Sequence, residues 1–163
     1  MGLHKDQEIE PKELEKLKKN SQIGKAYDRT IRLISMRPRS QWEIEDYLKR
    51  KGYDEDVTRS VLAKLAKLEL VDDTKFAQQW VQWRLNSSNR SRRQLYAELL
   101  QKRIDRELIE EVLAELDPET ELAQIRALIE RKARQYPDRQ KLMAFLARKG
   151  FSYDLIKQAL SGE

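Results

Sequence analysis

Apolar residues recur at i, i+3 and i+4 in three stretches of the chain, and the three stretches are copies of one another. Ile44, Tyr47 and Leu48 make one such face, and it returns as Leu95, Glu98 and Leu99 and again as Leu142, Phe145 and Leu146. A second stripe, Val57, Val61, Leu62, Leu65 and Leu68, returns as Leu108, Val112, Leu113 and Leu116, then as Leu155, Ala159 and Leu160. Adding 51 to a residue number carries Arg39, Ser40, Asp54 and Leu62 onto Arg90, Ser91, Asp105 and Leu113; adding 98 carries Lys51, Gly52, Tyr53 and Asp56 onto Lys149, Gly150, Phe151 and Asp154. A period near fifty residues predicts tandem units that bury their faces against each other. The expected architecture is all-α: three tandem three-helix, helix-turn-helix-like repeats forming an elongated, curved solenoid.

Caps set the helix starts. Ser40 with Glu43 and Ser91 with Gln94 have the spacing of capping boxes, and Asp138 follows Pro137 at the equivalent place. The third helix of each unit starts at Asp54, Asp105 and Ser152. The first helices start near Gly24, near Asp72 or Asp73, and at Asp117-Pro118, where Pro at N1 lacks only an N–H that has no helical partner anyway. The resulting domains are an extension over 1–23 and repeats over 24–71, 72–116 and 117–163. Within the extension, Pro11 to Asn20 reads as a short charged helix, weakly anchored or continuous with the next. Gly52 and Gly150 stand where a chain leaving one helix for another needs a left-handed residue, so a shared geometry requires positive φ at Arg103, their counterpart.

Composition narrows the function. Of the residues, 37% are charged and 39% hydrophobic, with five Gly, four Pro and no Cys, which suits a helix-rich protein and excludes disulfides and Cys-based metal sites or nucleophiles. No apolar run approaches the roughly 18 residues of a membrane span, and the N-terminus lacks a signal-peptide core, so a cytoplasmic protein is expected. Catalytic signatures are missing: there is no phosphate-cradling Gly-rich loop, no His pair and no Ser/His arrangement. His4, the one histidine, lies in the tail, and Asp72-Asp73 reads as a helix cap before a metal ligand. No enzyme activity, cofactor or metal is expected. Phe76, Trp80 and Trp83 lie at i, i+4 and i+7; they could stack bases, but beside Val81 and Leu85 the spacing favours buried packing between units.

Charge is arranged in blocks under a net +5. From Asp105 to Glu121, acids face only Arg106. From Arg126 to Lys149, the bases Arg126, Arg131, Lys132, Arg134, Arg139, Lys141, Arg148 and Lys149 outweigh Glu130 and Asp138, and Arg90, Arg92, Arg93 and Lys102 add a second basic group around one helix. These twelve are the candidate nucleic-acid or filament-binding residues, since a basic strip on a repeat protein suits a polyanionic filament.

Leu70-Val71-Asp72-Asp73 followed by Lys75-Phe76-Ala77, the Arg39-Ser40-x-x-Glu43 start, and the run Phe145-Leu146-Ala147-Arg148-Lys149-Gly150-Phe151-Ser152 give the chain, over roughly Lys25 to Ser161, a resemblance to the RecX family of recombinase regulators. The resemblance implies a non-enzymatic, monomeric modulator, chiefly an inhibitor, of the RecA recombinase. Such a protein lies in the groove of the RecA–single-stranded-DNA filament and affects ATP hydrolysis, strand exchange and co-protease activity, touching DNA directly or through RecA. The chain departs from the family pattern in its second unit, where Ser87-Ser88-Asn89-Arg90 and Arg103 replace glycine-containing turns. Two other classes fit the residues: a sequence-specific helix-turn-helix DNA binder reading bases with Arg92, Arg93 and Gln94, and a pure protein-interaction repeat.

Overall fold

Short polar side chains start most of the helices, at the predicted places. The structure is a computed structural model describing residues 10–162, so the tail with His4 lies outside the described residues. Among the described residues there are nine helices and no strand: α1 Pro11–Met36, α2 Gln41–Arg50, α3 Glu55–Lys67, α4 Asp73–Ser87, α5 Arg92–Gln101, α6 Arg106–Ala114, α7 Pro118–Lys132, α8 Arg139–Arg148 and α9 Tyr153–Ser161. Both capping boxes close. The Glu43 N–H donates to Ser40 Oγ (3.2 Å) while the Ser40 N–H donates to the Glu43 carboxylate (3.0 Å), and Ser91 and Gln94 exchange the same pair at 3.2 and 3.1 Å. Asp54, Asp105, Asp117, Asp138 and Ser152 each accept a first-turn amide.

The charged segment is continuous with the next helix, one of the two expected arrangements, so only the start of the first helix differs. The helix starts at Pro11, not near Gly24, and runs without a break through the expected 23/24 boundary. One Gly in a helix interior costs about 1 kcal/mol, too little to end a run of strong helix formers. The helix stops where Pro38 forces Arg37 into extended backbone (φ −165°, ψ 159°). Leu14 and Leu17 do not dock and stay exposed; a Lys19–Asp56 ion pair of 2.9 Å ties this part of α1 to α3 instead.

The chain divides into two compact units, 1–72 and 73–163. In the first, α1 packs on α3 with α2 beside them, around Ala26, Ile44, Leu48, Val57, Val61 and Leu65. The second unit holds two such three-helix sets. In α4–α6 the core is built on Phe76, Val81, Leu95, Leu99, Ile104 and Ile109, and in α7–α9 on Leu122, Ile125, Leu142, Leu146, Phe151 and Ile156. We call the three sets repeats 1, 2 and 3.

The turns after α2, α5 and α8 share one geometry. Gly52, Arg103 and Gly150 have φ of 88°, 58° and 97°, as the alignment of the copies demands. In each, the left-handed residue donates two residues back beyond the cap, to Lys49, Leu100 or Ala147, and the next residue donates to Leu48, Leu99 or Leu146. This is a Schellman closure whose apolar contact comes from Tyr53, Ile104 and Phe151. A fourth copy ends α3, where Glu69 takes φ 57°.

Candidate functional site

Repeats 2 and 3 lie in one unit, and their junction organises the basic residues. The α4–α5 loop supplies it. Ser91 is fully buried; besides capping α5, its hydroxyl donates to the Lys149 carbonyl at 2.7 Å. Gly150 comes so close that a Cβ there would stand 2.8 Å from Ser91 Oγ and 3.0 Å from Arg93 Cβ. Asn89 Nδ2 donates to Gln124 Oε1 (3.0 Å), and Gln124 Nε2 returns a bond to the Leu85 carbonyl (3.3 Å). Arg92 reaches the Leu116 carbonyl (2.9 Å) and pairs with Glu121 (3.4 Å).

Behind this seam a cleft of about 250 Å³ opens between the repeats, floored by Leu128 and Phe145 and lined by Ser88, Asn89, Arg90, Arg131, Lys132 and Lys149. Four of the twelve candidate cations therefore converge on one concavity, although they come from the α4–α5 loop, the end of α7 and the end of α8. Phe145 stacks on Tyr136 (centroids 4.9 Å apart, planes at 24°), and the Lys149 ammonium stands 5.6 Å from the Phe145 ring centre.

The repeat explains why this cleft is basic. In repeat 2, Glu98 occupies the position of Phe145; its carboxylate accepts from Arg84 Nε (3.0 Å) and Nη2 (2.7 Å) and from Trp80 Nε1 (3.0 Å), with Arg90 Nε 3.4 Å away. Burial pushes this carboxyl up, but the hydrogen bonds from Arg84 and Trp80 and the charges of Arg84 and Arg90 outweigh it and hold Glu98 below the ordinary glutamate value. Arg131 is the counterpart of Arg84, and Lys149 of Lys102. With Phe145 in place of the carboxylate, Arg131 has no ion-pair partner among the described residues. Arg90 Nε is buried and its approach to Glu98 is too poorly aligned for a hydrogen bond.

The other candidates are not gathered there. Arg126, Arg134, Arg139, Lys141 and Arg148 are exposed outside the cleft, Arg92 is engaged by Glu121 and Leu116, and the Lys102 ammonium stands 5.2 Å from the Trp80 ring centre. The aromatic stripe also differs from expectation. Phe76 is buried inside repeat 2 and Trp80 half-buried against Glu98, whereas Trp83 is 54% exposed, edge-on to Trp80 at 5.2 Å. The buried arc of α4 runs through Ala77, Trp80, Val81 and Leu85, and Trp83 falls off its edge, so the stripe serves the interior of a repeat and not a junction. A wider groove between α2 and α3 carries Glu45, Asp46, Asp54 and Glu55 against Lys49 and Arg59, a sign of charge unsuited to a polyanion. Sequence reasoning missed Ser88, Asn89, Leu128, Phe145 and Glu98; lining up the copies, with Glu98 against Phe145, is the signal that could have found the last two.

The α5 N-terminus bears on the base-reading alternative. A recognition helix puts its first turn into the DNA groove, but here Arg92 and Gln94 are held within the fold and Gly150 packs against the Arg93 stem.

Models of the first, second and third three-helix domains of RecX match residues 26–65, 72–113 and 119–160. The regulatory protein RecX of Mycolicibacterium smegmatis is 34% identical over 147 residues, covering 82% of this chain and 78% of that one; its counterpart from Mycobacterium avium is 36% identical over 140 residues, covering 82% and 81%. The crystal structure of RecX from Lactobacillus salivarius superposes with a TM-score of 0.81 at 27% identity over 88% of this chain and 97% of that one. Matches that span all three repeats, in order and in register with the helices described, leave one assignment: the chain belongs to the RecX family of regulatory proteins.

Proposed function

We propose that this protein regulates the RecA recombinase, binding in the groove of the RecA–single-stranded-DNA filament and lowering its ATPase, strand-exchange and co-protease activities, and through them recombinational repair and the SOS response. It acts as a cytoplasmic monomer without catalysis of its own. The observation that carries this reading is family membership across all three repeats, joined to the stretch from Arg126 to Lys149 in the third, where eight cations stand against only Glu130 and Asp138. A ligand that favours one state of a filament shifts its growth by mass action, so a protein bridging several protomers acts below one-to-one stoichiometry.

The test is RecA single-stranded-DNA-dependent ATP hydrolysis with increasing amounts of this protein. Substoichiometric addition lowers the rate; no effect at severalfold excess over RecA refutes the reading. Reversing Arg131, Lys132 and Arg134 together to Glu weakens filament binding and flattens its salt dependence without loss of helicity. Unchanged affinity at low salt means these side chains are only a solvated face.

A further inference from the structure

We propose that the cleft between repeats 2 and 3 is a direct nucleotide-binding site, taking one phosphate of single-stranded DNA among Arg90, Arg131 and Lys149 and the attached nucleoside against Leu128 and Phe145. This deepens the filament reading, on which the choice of polymer rests.

Three observations converge. Arg131 lacks the carboxylate that neutralises its counterpart: Arg84 pairs with Glu98 in repeat 2, whereas Phe145 stands at that position in repeat 3, with the Lys149 ammonium 5.6 Å from its ring centre. Arg90, on the cleft wall, turns its buried Nε toward Glu98 at 3.4 Å without making a hydrogen bond, so its charge is only loosely engaged there. Charge without a partner, beside a desolvated donor, is chemistry that an oxyanion completes.

The floor adds the second half of the ligand. A free phosphate needs no apolar surface, yet the half-buried Phe145 ring, stacked on Tyr136, lines the same space next to the buried Leu128. A nucleoside attached to the phosphate covers that surface, and single-strand binders join a basic track to aromatic platforms in this way. At about 250 Å³ the cleft lies below the roughly 300–1,000 Å³ of drug-sized pockets. It admits one nucleotide of a flexible strand. A duplex, whose bases are stacked inward, has no nucleoside to offer it.

The experiment measures binding of fluorescein-labelled (dT)12 to the full-length protein by anisotropy across a salt series. Arg131→Gln weakens binding about tenfold and lowers the salt slope by about one; Phe145→Leu, which keeps the core filled, weakens it about fivefold. Lys157→Gln, an equal loss of charge on the exposed face of α9 outside the cleft, changes it less than threefold. Far-UV circular dichroism establishes that each variant is folded. Equal losses for Arg131→Gln and Lys157→Gln overturn the site in favour of a diffuse charge effect. Competition separates the sources of phosphate: millimolar dTMP displaces the oligonucleotide and inorganic phosphate does so more weakly. Displacement by phosphate as strong as by dTMP overturns the nucleoside contact, dTMP binding as tight as (dT)12 overturns the strand, and displacement by poly-glutamate at equal charge assigns the cleft to an acidic protein segment. RecA ATPase is followed with the same variants. Inhibition without cleft-dependent (dT)12 binding defeats this proposal alone, and cleft-dependent binding without any effect on RecA defeats the filament reading alone.

Discussion

Replacing Glu98 with Gln isolates the polar cluster that distinguishes repeat 2 from its sisters. The carboxylate takes a two-pronged bond from Arg84 and a third from Trp80, with Arg90 3.4 Å away, and its side chain is 18% exposed. Gln keeps the shape and one acceptor, but sets an NH2 against the Arg84 fork and removes the charge. A hydrogen bond to a charged group contributes about 1.5–3 kcal/mol, and because solvent still reaches this one the loss is set at about 2 kcal/mol. In a unit the size of 73–163 that lowers Tm by about 8–15 °C. Thermal unfolding followed by tryptophan fluorescence reads it directly, since Trp80 and Trp83 belong to this unit.

Acid supplies a second, independent check. The folded-state pKa of Glu98 is depressed, so its contribution is complete above the unfolded carboxyl value of about 4.3 and disappears as pH falls through the folded value. The gap between wild type and Glu98→Gln is therefore widest at neutral pH and narrows once pH falls below about 4.3. A shift under 2 °C at pH 7, or a gap that persists unchanged to pH 3, refutes the assignment of the stabilisation to the ionised carboxylate.

Four further substitutions test the turns and the cap at the seam. Gly150→Ala must both hold φ +97° and seat a Cβ 2.8 Å from Ser91 Oγ, costing about 2–3 kcal/mol, whereas Gly52→Ala holds φ +88° with nothing within 4 Å and costs about 1 kcal/mol; equal urea midpoints would refute the packing half of the difference. Ser91→Ala removes a cap and leaves the Lys149 carbonyl without its donor, lowering stability by about 2 kcal/mol by chemical denaturation. Glu69→Gly relieves about 1 kcal/mol of left-handed strain and gives back about half of it to unfolded-chain entropy, for a rise in Tm of a few degrees.

Local rules made much of the fold legible. Ser40, Asp54, Ser91, Asp105, Asp117, Asp138 and Ser152 cap helices through bonds spanning at most three residues, and the copies placed Arg103 in a left-handed turn that no propensity scale would choose. The start of α1 was less legible because cap signals mark where a helix can begin, and Gly24 is too weak an interruption to make one begin there. Glu69 was hidden for a similar reason: nothing local to a Glu announces positive φ. The site was half legible. Basic blocks appear in the sequence as charge, but whether a given Arg is spent inside the protein depends on a distant carboxylate, 14 residues away for Arg84 and Glu98 and 29 for Arg92 and Glu121. That information lies in packing.

The seam between repeats 2 and 3 has an evolutionary consequence. It is fastened by a serine hydroxyl on the main-chain carbonyl of Lys149 and by the missing side chain of Gly150, so the Lys149 side chain takes no part in holding the repeats together. Joint and ligand-facing surface share one residue yet draw on different atoms of it. Selection can then rewrite the chemistry of the cleft wall at that position, charge, length or polarity, while the stacking of the repeats carries over unchanged, provided the glycine beside it stays.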